Sequence, residues 1–212
     1  KPFEYPDQPM DRGKVLWEGD LEELSGKWAR YKDVDGDGIT YRTIPGNKHP
    51  DAAWFARGTG HDENAVYTED GDEYERNMAR LKKKFETART MVPKPVIDTM
   101  DDADIGIIAY GSTLPAVEEA RHHLAKIGLK TDLLQLRAIP FAAEVLEVTD
   151  FIYNHERSYV VEMNRDGQLH QLLSLEYAPV CAKLTSVAHL DGLSMTAQFV
   201  EDRINQGEAE RK

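Results

Sequence analysis

The sequence predicts an α/β domain, mostly parallel and three layers deep, in the second half of the chain. Two observations carry the prediction: four apolar, strand-like runs lie beyond residue 104, and amphipathic helical segments separate them. A third sets the boundary, because the first seventy or so residues are rich in glycine, proline and acid and show almost no hydrophobic periodicity. IGIIAYG, from Ile105, is continuously apolar, as expected of a strand buried on both faces. Ser112 can cap the next helix, in which Val117, Ala120, Leu124 and Ile127 line one face and Gly128 supplies the stop. TDLLQLR, from Thr131, is a second strand, and Pro140 opens a short helix through Val148. SYVVEM, from Ser158, is a third, followed by a helix from Asp166 with Leu169, Leu172 and Leu173 inward. KLTSVAH, from Lys183, is the fourth, and a last helix from near Ser194 buries Ala197, Val200 and Ile204. Such alternation implies parallel pairing through helical crossovers.

A long helix precedes this domain. Asp70 with Glu73 reads as a capping box, and Tyr74, Met78, Leu81, Phe85, Ala88 and Val92 then recur at spacings of four and three. Pro93 and Pro95 end it. The stripe lasts under three heptads, so it is expected to be a packing face and not a coiled coil. The expected organisation is an irregular segment 1–71, a linker helix 72–98 and an α/β domain 99–212.

Acidic residues outnumber basic ones 38 to 26, and the net charge of -12 excludes nucleic acid as a partner. No apolar run approaches the ~18 residues of a membrane span, and nothing at the start resembles a signal peptide. Cys181, the single cysteine, excludes an internal disulfide and any all-protein cysteine cluster. Its apolar setting, APVCAKL, suits a packing residue, and a reducing cytoplasm fits this usage. The opening Lys-Pro-Phe suggests a processed subunit or one part of a longer polypeptide.

Residues 1–70 offer one helix-like piece, with Asp20 as N-cap and Gly26 as stop. They hold too few spaced apolar residues to build a core, so this part is expected to complete a domain lying elsewhere. Within it, Asp33, Asp35, Asp37 and Gly38 copy the first half of a calcium loop. The twelfth position is Ile44 where a bidentate glutamate belongs, and flanking helices are missing. Gly36-Asp37-Gly38 with Asn64 also approximates the GDG…NN signature for thiamine diphosphate and its metal. Pro45, Gly46 and Pro50 forbid the required helix, and Ala65 replaces the second asparagine. An Asp/Gly-rich turn accounts for these residues. His61, Asp62 and Glu63 are metal-capable, but three consecutive residues of a regular element cannot all face one ion, and hydrogen bonds tying an irregular loop are the simpler reading. AYGST lacks a nucleophile elbow. No catalytic residue and no metal ligand is assigned. Arg42 stands between Tyr41 and Thr43, before an Ile-Pro-Gly turn. A guanidinium fork on a rigid loop suits two-point clamping of a carboxylate; a surface ion pair is the alternative.

The blocks RYKDVDGDGITYRTIPG, ARGTGHDENAVYTED, LKKKFETAR, IGIIAYGST and VVEMNRDGQL resemble the C-terminal third of the α subunit of 2-oxoacid:ferredoxin oxidoreductases, the 2-oxoglutarate type in particular. The resemblance implies a transketolase C-terminal-like domain from about residue 100, preceded by the end of a thiamine-pyrimidine-binding domain. It implies that Arg42 pairs with the substrate carboxylate. The block Thr59, His61, Asp62 and Glu63 aligns without an assigned role, as a structural or site loop. It further implies thiamine diphosphate, Mg2+ and a [4Fe-4S] cluster, on the β subunit or at the interface and not on this chain. The implied partners are that β subunit, the rest of the α subunit, ferredoxin, coenzyme A and the 2-oxoacid. The reaction would be oxidative decarboxylation to acyl-CoA, with the isolated chain inactive. A non-catalytic α/β interaction or regulatory module is the competing reading.

Overall fold

The computed structural model describes every residue except 1–4, 6, 56–59, 140–145 and 212. The chain divides into two compact units, Lys1–Ala88 and Arg89–Lys212.

The second unit holds a five-stranded sheet of β1 (Val96–Asp98), β2 (Ile105–Tyr110), β3 (Thr131–Leu136), β4 (Arg157–Glu162) and β5 (Leu184–Ala188), in the order β1-β3-β2-β4-β5. β2, β3, β4 and β5 pair in parallel, and β1 adds an antiparallel edge. Alternate residues of β2 explain the layering. Ile105, Ile107 and Ala109 pack with Val117, Ala120 and Leu124 of α3 (Leu114–Lys126) and with Val200 and Ile204 of α6 (Ala197–Ala209). Ile108 points the other way, into a cluster with Phe151 and Ile152 of α4 (Leu146–Asn154) and Leu169 and Leu173 of α5 (Gln168–Glu176). The mixed, mostly parallel α/β architecture is therefore the one the alternating pattern predicts. Gly106 leaves room for α4, since a Cβ there would stand 2.6 Å from both the Phe151 ring and Ser158 Oγ.

Several helix ends differ from expectation. Thr196, not Ser194, caps α6 by accepting from the Phe199 amide. α5, expected from Asp166, starts after Gly167, which enters it at φ +65°. Residues 140–145 of the expected Pro140–Val148 helix lie outside the described residues, and α4 continues on to Asn154. Cys181 is half-buried. No helix among the described residues is long and apolar enough to cross a membrane.

In the first unit, α1 (Glu18–Leu24) is entered at Trp17. Asp20 lies inside it and reaches back to accept from the Trp17 amide at 2.7 Å, so it is not the N-cap. Ser25, at φ 48°, and Gly26 end the helix in left-handed conformation. α2 (Gly71–Met91) is capped by Asp70, whose carboxylate accepts from Asp72 N at 2.8 Å; Glu73 pairs with Arg76 instead of completing the box. The apolar stripe packs only in part: Leu81, Ala88 and Val92 are half-buried, but Tyr74 is 52% exposed and Phe85 59%. The half-buried face mixes polar Glu73, Asn77, Arg80 and Thr87 with Leu81 and Ala88.

Candidate functional site

The Asp33–Gly38 loop lies against α2 in the first unit. Thr87 Oγ1 donates to the Asp37 carbonyl at 2.6 Å and Arg80 Nη1 to the Gly38 carbonyl at 3.2 Å. Gly38, at φ +79°, lies against the helix backbone. The carboxylates that suggested a cation loop converge on an ammonium. Lys14 Nζ is 2.6 Å from Asp35 Oδ2, 2.8 Å from each Asp37 oxygen and 2.9 Å from the Ile39 carbonyl. Desolvation pulls the ammonium pKa down, but the hydrogen bonds to Asp35 and Asp37 carry it above its ordinary value. Lys14 in turn holds the Asp37 carboxyl below the usual carboxylate range, with the Ile39 amide assisting.

A carboxyl with a depressed folded pKa stabilises the fold above its unfolded value, about 3.9, and loses that contribution as pH falls through the folded value. Lys14→Met and Asp37→Asn are each expected to flatten the acid limb of stability below about pH 4. Thermal melts across that range check this, and an unaltered limb in both variants would dissociate the pair from acid stability.

The same knot leads into Arg42. Its amide donates to the Lys14 carbonyl and its carbonyl accepts from the Leu16 amide, both at 2.9 Å, in a parallel bridge with Val15. Thr43 Oγ1 donates to the Ala52 carbonyl at 2.7 Å, and Asn47 Nδ2 to the Leu16 carbonyl at 3.3 Å. A backbone so pinned carries an exposed guanidinium, whose Nη2 donates to the Arg12 carbonyl at 3.1 Å. Among the described residues no carboxylate forms an ion pair with Arg42.

His61 sits on a different wall. Its ring stacks on Tyr31, with centroids 4.0 Å apart and planes at 28°. Nδ1 lies 3.0 Å from the Asp62 carbonyl, which favours the Nδ1–H tautomer and leaves Nε2 to accept from Asn77 Nδ2 at 3.4 Å. Asp62 closes a tight turn: Oδ1 accepts from the Asn64 and Val66 amides, both at 2.9 Å. Glu63 lies 3.7 Å from Lys32, an exposed pair. Thr59 lies outside the described residues. His61 and Asn77 line two open cavities. One, of about 520 Å3, includes Tyr31, Arg76 and Arg80; the other, of about 450 Å3, includes Tyr67 and Tyr74.

The structure thus keeps His61, Asp62 and Glu63 on one turn. The partners that sequence reasoning missed are Lys14, Arg30, Tyr31, Asn77 and Arg80. Only the adjacent Arg30-Tyr31 pair, an aromatic beside a cation, offered a local signal. No group of three or more histidine, cysteine or acidic residues able to hold a metal occurs among the described residues.

A mostly parallel α/β unit preceded by a loop-rich unit with a pinned arginine is the class of protein these features define. The α subunit of 2-oxoacid:ferredoxin oxidoreductase 2 from Aeropyrum pernix is 30% identical over 169 residues, 78% of this chain and 24% of that relative. The chain is therefore a relative of 2-oxoacid:ferredoxin oxidoreductase α subunits, the family its sequence blocks resemble. It spans about a quarter of the length of the curated relative it matches. A solved 2-oxoglutarate:ferredoxin oxidoreductase from Magnetococcus marinus, with 2-oxoglutarate, coenzyme A and succinyl-CoA bound, shares the fold. Its TM-score is 0.70 at 24% identity, over 85% of this chain and 31% of that one. No family model matches.

Proposed function

We propose that this chain is the carboxylate-binding and assembly part of the α subunit of a thiamine diphosphate-dependent 2-oxoacid:ferredoxin oxidoreductase, with 2-oxoglutarate as the 2-oxoacid. In this reading residues 1–71 complete a pyrimidine-binding domain, 72–98 link, and 99–212 form a transketolase C-terminal-like domain. The observation that carries it is Arg42, fixed through its backbone at both ends and lacking a carboxylate partner among the described residues. An exposed fork held this way needs little ordering when a carboxylate arrives, and can donate two parallel hydrogen bonds to it.

The residues of this chain do not fit the diphosphate and its magnesium. Asp37 spends both oxygens on Lys14, and Gly38 is pressed against α2. Nor can the single cysteine hold an iron–sulfur cluster. Those groups are assigned to a β subunit or its interface, in a cytoplasmic complex that also engages ferredoxin. The overall reaction converts the 2-oxoacid and coenzyme A to acyl-CoA and carbon dioxide, with the electrons leaving to ferredoxin. This chain's part is to bind and orient the 2-oxoacid carboxylate. The Thr59, His61, Asp62 and Glu63 block is assigned as a structural or site loop, and the chain by itself is inactive.

Arg42→Ala in the assembled complex is expected to raise KM for the 2-oxoacid roughly 10- to 100-fold, the scale of one charge-assisted hydrogen-bonded pair. Arg42→Lys should recover only part, because a point charge lacks the fork. An unchanged KM in both variants would remove the substrate role and favour the non-catalytic module.

A further inference from the structure

Four arginines of the first unit, Arg12, Arg30, Arg42 and Arg80, have no ion-paired carboxylate among the described residues, in a chain whose acids outnumber its bases 38 to 26. Arg80 is used structurally, donating to Asn77 and to the Gly38 carbonyl. Arg30 is placed differently. Its guanidinium carbon lies 5.0 Å from the Tyr31 ring centre and 4.9 Å from that of Trp54, so two aromatic rings hold it half-buried. Nη1 donates to Thr40 Oγ1 at 2.8 Å and to the Tyr41 carbonyl at 3.4 Å, the two residues leading into Arg42. Nε is buried with no partner.

We infer that Arg30 is a second cation of the carboxylate site, a positioning residue that fixes the Thr40–Arg42 segment and adds its charge to the field in front of Arg42. This rests on the carboxylate reading of Arg42. Burial lowers the Arg30 pKa from its ordinary value; Tyr31 opposes this, and the neighbouring charges of Arg80 and Arg42 lower it further. The cations therefore feel one another, and an anion arriving at Arg42 relieves that repulsion. Aromatic faces suit this task better than a carboxylate partner would, because they hold a guanidinium in place without neutralising it.

The test uses the assembled complex with Arg30→Gln and Arg30→Lys, beside Arg42→Ala. Arg30→Gln is expected to raise KM for the 2-oxoacid about tenfold with kcat within about twofold, and to make kcat/KM less sensitive to salt. Arg30→Lys restores the salt sensitivity while KM stays about threefold high, since the charge returns without the fork. A merely structural role moves kcat and KM together and leaves the salt dependence as in the parent, which overturns the inference; so does an unchanged KM in Arg30→Gln. If Arg30→Gln fails to assemble, Arg30→Lys decides by the same pair of readings. An Arg42→Ala complex with unchanged KM defeats the reading of Arg42 itself. A raised KM there with a silent Arg30→Gln defeats only the present inference.

Discussion

Gly38→Ala is expected to cost the protein about 3–5 kcal/mol. Two penalties add. At φ +79° an L side chain is strained in its own backbone, by about 1–2 kcal/mol. The new Cβ would also stand 2.7 Å from the Arg80 carbonyl oxygen and 2.8 Å from Lys83 C, and against Lys84 N as well. These are helix backbone atoms with no rotamer to yield, so the loop must lift away from α2. Lifting it breaks the Thr87 and Arg80 bonds to the Asp37 and Gly38 carbonyls and disturbs the Lys14 knot that leads into Arg42. Urea unfolding followed by circular dichroism measures the loss. A change below about 1 kcal/mol would mean that the loop is not seated on the helix in solution.

The same loop shows where sequence reading stops. Hydrophobic periodicity placed Tyr74, Met78, Leu81 and Phe85 on one face of α2, but periodicity names a face and not what covers it. In the first unit the loop offers the helix carbonyl oxygens and the separate turn at His61 offers a ring nitrogen, so Asn77, Arg80 and Thr87 turn toward them. Lys14 lies 23 residues from Asp37, and Arg30 ten from Thr40, in segments with no repeating pattern to register them. Such pairings come from tertiary packing alone. Arg42 was legible because the fork and the rigid turn are local properties of a few residues.

The α/β unit was more readable, because the burial of β2 and β4 on both faces is written in runs of apolar residues. β1 escaped: three residues preceded by Pro93 and Pro95 carry too short an alternation to be told from loop. Helix ends slipped by two residues at Thr196 because Ser194 is an equally good acceptor in the same turn.

Glu162→Ala is expected to cost about 3–5 kcal/mol and to loosen the start of α5. Glu162 closes β4 and is fully buried, yet no cation is among its hydrogen-bond partners. Its carboxylate is satisfied by amides: Leu169 N at 2.7 Å, His170 N at 3.0 Å and the Asn164 side chain. These backbone donors belong to the first turn of α5, where the orphan N–H groups and the helix dipole favour negative charge. Alanine orphans those buried donors at about 1–3 kcal/mol each and leaves a void besides. Glutamine keeps the shape and one good acceptor, so about half of the loss should return. Chemical denaturation of both variants gives the comparison, and equal, mild effects would show that water replaces the carboxylate without strain. The consequence reaches beyond stability, because α5 carries Leu169. That residue lines a cavity of about 330 Å3 with Tyr110, Gly111, Leu136 and Arg137, at the C-terminal ends of β2 and β3. In parallel sheets this edge, where neighbouring strands lead to opposite sides, is where crevices form. A carboxylate buried one strand away therefore sets the position of a crevice wall, through a helix terminus that only an acceptor at that point can hold.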